Sequence, residues 1–264
     1  MKRVLVIGAN SYIGKKFHEY VYSFNEKLID VDLVSAADGS WEKVDFTLYD
    51  SVLHLSAIVH RKEKKAMKDL YEKVNHRLPV EIACKTKASH VKQFIFMSTA
   101  AVYGDINGCI TKETVPKPAS LYGKTKLAAE EDLLKLENEN FKIAIIRAPM
   151  VYGEGCKGNY ERLRKLAMCT PIFPDYHNKR SWVHIDRLNY NILEIIFNEG
   201  SGYYFPQDEN YADTCEVVIG IRAKREKKTY TIRYFNKMIG YLKKRIKLIN
   251  KLFGDLYYNK LDSI

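Results

Sequence analysis

Tyr122-Gly123-Lys124-Thr125-Lys126 sets a phenol and an ammonium four residues apart. The stretch continues as a helical run to Leu136, and in a helix both side chains lie on one face about one turn apart. A phenol beside a fixed cation can release its proton nearer neutral pH, although an unperturbed tyrosine holds it to about pH 10. Lowering that value by about three units takes about 4 kcal/mol of preference for the phenolate. A cation about 4–5 Å away at an effective dielectric near 20 supplies roughly 3–4 kcal/mol. Lys126 is therefore expected to acidify Tyr122, with a positively charged cofactor ring adding the remainder. The alternative, from this stretch alone, is a packing tyrosine and a solvated lysine, so the decision rests on what the rest of the chain builds around the pair.

The elements that must position the pair begin at the N-terminus. Arg3 to Gly8 is a short continuous apolar run of the kind found in strands buried on both faces. It passes into the turn Gly8-Ala9-Asn10-Ser11-Tyr12-Ile13-Gly14 and a helical stretch through Phe17, Val21 and Phe24. A strand, a glycine-bearing turn and a helix start make an anion site, because free amides and the helix dipole point at a bound pyrophosphate. Ser11 replaces the middle glycine of the usual spacing; its side chain crowds the ligand, while its hydroxyl can bond a phosphate oxygen. A purely structural turn is the other reading.

Leu28 to Val34 reads as a second strand. Asp32 lies inside it and Asp38 beyond it, so neither stands where a ribose-binding acid is expected. No arginine lies between Ser35 and Trp41 to greet a 2′-phosphate, which favours NAD over NADP without excluding the latter. Val52 to Ala57 is another buried strand, preceded by Asp45-Phe46. A long helix is expected from about Lys65 to Ser89, with the charged run 61–65 as its solvated start. Val91 to Met97 leads into Ser98 and Thr99, a hydroxyl pair at a strand's C-terminal end, where open sheets bind ligands. Phe141 to Arg147 follows the helix of Tyr122.

Strands alternating with helices in this way predict an α/β fold, a Rossmann-type doubly wound parallel sheet, with a smaller C-terminal substrate lobe. The expected division is a dinucleotide-binding domain over 1–170, to which a helix at 186–200 returns, and a lobe made of 171–185 and 201–264. Within the latter parts, Pro171 and Pro174 bracket a turn, Tyr203 to Phe205 is a short strand, a helix starts near Thr214, and one amphipathic helix runs from Tyr234 to Phe253.

The 264 residues suffice for a large core, and 46% hydrophobic with 28% charged residues is ordinary for a globular protein. No apolar run approaches a membrane span, and Met1-Lys2-Arg3 leads straight into a strand, so a cytoplasmic site of action is expected. Five scattered cysteines with no Cys-x-x-Cys pair suit free thiols and predict neither a disulfide framework nor a metal site. The formal charge of +11 would suggest nucleic acid, but residues 222–251 carry twelve Lys or Arg against the single acid Glu226. With the excess so local, no nucleic-acid partner is expected.

Six stretches in order, GANSYIG at 8–14, HLSA at 54–57, STAAVYG at 98–104, YGKTK at 122–126, RAPMVYG at 147–153 and RSWVHID at 180–186, resemble the extended short-chain dehydrogenase/reductases, specifically the NAD-dependent epimerase/dehydratase family acting on nucleotide sugars. The resemblance covers nearly the whole chain. It implies Thr99, rather than Ser98, as the catalytic hydroxyl, Tyr122 as general acid/base, and Lys126 as the group that holds the nicotinamide ribose and lowers the tyrosine's pKa. It implies cofactor contacts at Gly8, Asn10, Ser11, Tyr12, Ile13 and Gly14, at Leu55, Ser56 and Ala57, and near the adenine at Asp45 and Phe46. For a UDP- or dTDP-linked sugar it implies Arg180 at the diphosphate and Asn159 as a substrate-facing amide, although a helix N-cap explains Asn159 equally well.

The implied chemistry is hydride transfer at a sugar carbon, most simply C4, in an epimerase resembling UDP-glucose 4-epimerase or in a 4-keto-sugar reductase. Dehydrating members of the family have an Asp-Glu pair after the catalytic threonine. Ala100-Ala101 stands there, which argues against 4,6-dehydration. Met150 replaces an asparagine frequent in galactose-pathway epimerases, and RAPMVYG with the residues after it looks more like enzymes of bacterial surface-polysaccharide sugars. The resemblance implies a longer chain than this in most relatives, which leaves open an incomplete lobe or one completed by a partner, a homodimer among the options. Two other classes remain: a non-catalytic dinucleotide-binding sensor or scaffold, and a membrane-surface role for the C-terminal helix. In that helix Phe235, Met238, Ile239, Leu242, Ile246, Ile249 and Phe253 recur among lysines. Packing of this stripe on the lobe is preferred, because sugar nucleotides are soluble and a small lobe needs it.

Overall fold

The computed structural model describes residues 1–23, 29–59 and 65–262. Its centre is six parallel strands, β1 (Lys2–Ile7), β2 (Ile29–Val34), β3 (Ser51–His54), β4 (Gln93–Thr99), β5 (Lys142–Ala148) and β6 (Gly202–Tyr204), in the order β2-β1-β3-β4-β5-β6. The chain reverses its direction of winding between β1 and β3, so the loops after these two strands diverge and leave a crevice at the carboxyl edge of the sheet.

The apolar runs are strands because both faces of the sheet are covered. Val4 and Val6 join one core with α1 (Tyr12–Tyr22) and α5 (Ile185–Phe197), while Leu5 and Ile7 face the other. Along β4, Ile95 and Met97 face the first core and Phe94 and Phe96 the second. The second core is closed by α2 (Leu78–Ala88) and α3 (Leu121–Leu134). Successive side chains point to opposite faces, and in β3, in β4 and in β1 from Val4 both faces are dry, so no polar alternation survives there, whereas the edge strand β2 keeps Asp30 and Asp32 alternating with Ile29 and Val31.

The lobe has its own core of Leu163, Ala167, Phe173, Trp182, Cys215, Val218, Ile239 and Phe253. These come from α4 (Asn159–Cys169), α6 (Thr214–Ala223), α7 (Asn236–Leu242) and α8 (Lys247–Phe253) with the segments between them. Helix α4 thus belongs with the lobe, although it precedes residue 170, and β6 extends the central sheet, although it follows residue 201. Both corrections have one cause: tertiary pairing partners, not chain order, decide membership.

Three further expectations are corrected. The helix expected over 65–89 runs without a break to Ala88 but is not uniform: a 3-10 turn at Lys65–Met67 and an α-helical turn at Lys68–Tyr71 lead into a π-helical stretch, Glu72–Arg77, and then α2. Pro79 has no N–H to bond the carbonyl of residue 75, and the buried Asn75 bonds both the amide and the carbonyl of Ile58, so the backbone widens there. The expected turn between Pro171 and Pro174 is a strand, Ile172–Pro174, paired with Tyr230–Ile232. The single C-terminal helix is two, broken around Lys243–Ile246, which lets Ile239 and Phe253 enter the lobe core from separate helices. Phe24, Leu28 and the charged residues 61–64 lie outside the described residues.

Candidate active site

Helix α3 is set against the end of β4 by a close backbone approach. A Cβ on Gly123 would lie 2.5 Å from the carbonyl oxygen of Ala101, so only glycine allows the first turn of α3 to seat there. Ser120 caps the helix, its hydroxyl accepting from the Gly123 amide at 3.0 Å. The result brings the Thr99 side chain into hydrogen-bonding contact with the Tyr122 phenol. Thr99 Oγ1 also accepts from the Ala101 amide at 3.2 Å, which fixes its rotamer. One turn along, Lys126 is 1% exposed, donates to the Met97 carbonyl at 2.8 Å and lies 4.2 Å above the Phe96 ring.

The electrostatics correct the share expected of Lys126 in acidifying Tyr122: without a cofactor the phenol is raised, not lowered. Burial pushes the phenol up to about 12, with the Thr99 hydrogen bond pulling the other way. Part of the Tyr122 surface stays accessible, although the phenol's surroundings are densely packed. Burial pushes the Lys126 ammonium down to about 7, and Glu130 opposes this. Both groups therefore lean toward their neutral forms. Bringing the phenol from about 12 to neutrality takes at most roughly 7 kcal/mol. His54, wholly buried between Phe94 and Phe96, is pushed down to about 3 by burial and by Lys126, and stays neutral.

Next to this pair lies a fully paired cluster. Glu130 takes Arg147 bidentately, with Nη2 at 2.6 Å and Nε at 3.1 Å from Oε2, and Arg147 Nη1 donates to the Tyr103 hydroxyl at 2.7 Å. The Ser98 hydroxyl donates to Glu130. Ser98 is thereby bound into the core, which leaves Thr99 as the hydroxyl at the phenol. Tyr258, 111 residues away in sequence, donates to the Arg147 carbonyl at 2.6 Å. Neither Glu130 nor Tyr258 was marked by the sequence as belonging here. The spacing Tyr122, Lys126, Glu130, one residue per turn on one face, was the available signal for the first.

At the crevice, Ser11 caps α1 by accepting from the Gly14 amide at 2.9 Å, so its hydroxyl proton stays available to an anion. A Cβ on Gly14 would lie 2.8 Å from both the Gly8 carbonyl oxygen and Ser11 Oγ. The first-turn amides, those of Tyr12 and Ile13 among them, have no acceptor within the helix. The Tyr12 hydroxyl donates to the Glu154 carbonyl at 3.0 Å and ties the turn holding Asn10 to the loop after RAPMVYG. Leu55 and Ser56 pack on Gly8, the Leu55 amide donates to the Ile7 carbonyl at 2.9 Å, and Asn75 holds Ile58, so Leu55, Ser56 and Ala57 form a loop pinned at both ends. Asn75 is a positioning residue that the sequence reading passed over.

Other expected contacts are placed differently. The Phe46 ring is buried in the second core beneath the Lys85 ammonium, and Asp45 caps the short turn after it by accepting from the Thr47 amide at 3.0 Å. Asp32 binds Arg3 and the Tyr49 hydroxyl, and Asp38 accepts from the Ser40 amide. Gly158, with φ 103°, occupies the N-cap of α4, so Asn159 is its first helical residue and not its cap. Arg180 donates to the Gly254 carbonyl at 2.8 Å and lines, with Ala100, Met150 and Tyr258, a cavity of about 30 Å³ on the Thr99 side of the lobe.

A family model described as NAD dependent epimerase/dehydratase family matches residues 4–188. The UDP-glucose 4-epimerase of Vibrio cholerae is 30% identical over 219 residues, 78% of this chain and 67% of that protein. The chain belongs to the NAD-dependent epimerase/dehydratase family. Some further curated relatives in this epimerase/dehydratase comparison are covered over 36–54% of their length. Among solved structures, a UDP-glucuronic acid 4-epimerase from Bacillus cereus in complex with NAD superposes with a TM-score of 0.72 at 18% identity over 97% of this chain and 89% of that one. A dTDP-4-dehydrorhamnose reductase from Bacillus anthracis in complex with NADP does so with 0.71 at 20% over 88% and 83%. At these identities the likeness concerns the fold. The family's nicotinamide dinucleotide fits this chain: Gly8 and Gly14 let the Leu55–Ser56 loop, the turn and the first turn of α1 pack closely together, and the first-turn amides of α1 have no helical acceptor and can receive a pyrophosphate.

Proposed function

We propose that this protein is a nucleotide-sugar epimerase that works at C4 of a UDP- or dTDP-linked sugar, in the synthesis of bacterial surface-polysaccharide sugars. The observation that carries the reading is the Thr99 to Tyr122 hydrogen bond one helical turn from a buried Lys126. The bound dinucleotide supplies the hydride acceptor and donor. Tyr122 Oη takes the proton from the sugar hydroxyl and later returns it. Thr99 Oγ1 bonds the same sugar oxygen and holds it in reach of the phenol. Lys126, kept protonated, stabilises the phenolate. Gly8, Ser11, Gly14 and the loop Leu55–Ala57 position the cofactor, Arg180 meets the diphosphate and Asn159 the sugar end. Ala100 and Ala101 have no proton to move, so water is not eliminated.

A reductase of 4-keto nucleotide sugars is the second reading, supported by the commitment of Asp32 to Arg3 and Tyr49. Asp32 is then not free to bind the ribose diol, the contact that selects NAD against a 2′-phosphate. Denaturing the purified protein and identifying the released cofactor, then offering UDP- and dTDP-sugars, separates the readings. Retained NAD with sugar isomerisation and no net redox supports the epimerase. Consumption of added NADH or NADPH by a 4-keto sugar supports the reductase. Neither reaction, with a bound dinucleotide, would instead support a sensor or scaffold.

A further inference from the structure

Two kinds of residue are used differently along the C-terminal helices. Ile239 and Phe253 go into the lobe core, but Tyr234, Met238, Tyr241, Ile246 and Leu248 stay 86%, 51%, 57%, 43% and 67% exposed. Few stretches of a soluble surface hold five large apolar side chains within fifteen residues. On α7, Met238 and Tyr241 lie with Lys237 on the side away from Ile239; on α8, Leu248 lies with Lys247 and Lys251 on the side away from Phe253. Arg245 stacks 4.4 Å from the Tyr241 ring and joins the two helical surfaces into one.

The surrounding charge is predominantly positive. Lys237, Lys244, Arg245 and Lys251 are exposed, and no salt bridge among the described residues engages any of them. Three nearby cations are engaged, Arg233 with Asp175, Lys243 with Asp255 and Lys247 with Asp105.

We propose that this face docks on an anionic lipid bilayer, with tyrosine rings at the headgroup level, Met238, Ile246 and Leu248 at the acyl boundary and the free cations over lipid phosphates. A nucleic acid would pair with the cations and stack on the tyrosines, but it has nothing to offer exposed Met, Ile and Leu side chains, whereas a bilayer takes all three classes of group. The proposal is independent of which sugar the active site turns over.

The test is co-sedimentation of the full chain, at low salt, with phosphatidylcholine vesicles and with vesicles about one-third phosphatidylglycerol. Binding is expected to the anionic vesicles alone and to weaken as salt is raised. Met238→Glu/Tyr241→Glu/Leu248→Glu, at exposed positions, is expected to abolish it with the circular dichroism spectrum unchanged. Lys237→Gln/Lys244→Gln/Arg245→Gln/Lys251→Gln is expected to weaken it at least about a hundredfold. No sedimentation with anionic vesicles, sedimentation indifferent to both variants, or tighter binding to a short RNA or DNA duplex than to vesicles would each overturn the proposal.

Discussion

Two polar clusters share helix α3 and the end of β4, one wholly buried and the other with Thr99 and Tyr122 half-buried, and they end in opposite electrostatic states. Ser98, Glu130, Arg147 and Tyr103 match donors to acceptors: burial works against the Arg147 charge, and Glu130 more than offsets it, so the guanidinium is held above its ordinary value. Thr99, Tyr122 and Lys126 are not matched in this way. The phenol is pushed up and the ammonium down, and Glu130 offsets only part of the latter. The matched cluster is a girder between strand and helix. The unmatched one keeps two titratable groups near the crevice in states that a third charge can reset, which is what proton transfer at neutral pH requires.

The sharpest break of this contrast is Tyr122→Phe, expected to lower kcat at least about a thousandfold while unfolding in urea changes by less than about 1 kcal/mol. Glu130→Gln should do the reverse in kind, destabilising the fold by about 3–5 kcal/mol because Arg147 is left buried without its partner; urea unfolding checks it. For Lys126 the sign follows from linkage. Its folded value, about 7, lies below the unfolded one near 10.5, so the folded chain bears the full penalty below pH 7 and loses it as pH rises toward 10.5. Lys126→Met should therefore stabilise the cofactor-free protein by about 2–3 kcal/mol more at pH 6 than at pH 9, as read by urea unfolding at both pH values. The smallest contrast is between adjacent hydroxyls: Thr99→Ala should lower kcat by about 10- to 100-fold, and Ser98→Ala by less than about threefold, in steady-state assays.

Much of the frame was legible in sequence. Val4 to Ile7 and Phe94 to Met97 announce strands that are dry on both faces, and the glycines of 8–14 announce the crevice, because these features are local. The hydroxyl at Thr99 was also legible from the motif. The π-helical stretch at Glu72–Arg77 was not, since it depends on Asn75 meeting Ile58 across a loop. Nor was the break between α7 and α8, which is set by where the lobe core lies. The sign of the Tyr122 and Lys126 shifts was missed for a related reason: sequence shows which charges are present, but desolvation depends on what packs around them.

The central claim is that Tyr122 is a poor acid until cofactor charge reaches it. The most direct measurement is the phenolate absorbance of wild type minus that of Tyr122→Phe, titrated with and without NAD. Without NAD no phenolate should appear from this residue below about pH 10, and with NAD it should appear several units lower. An identical titration in both conditions would contradict the account.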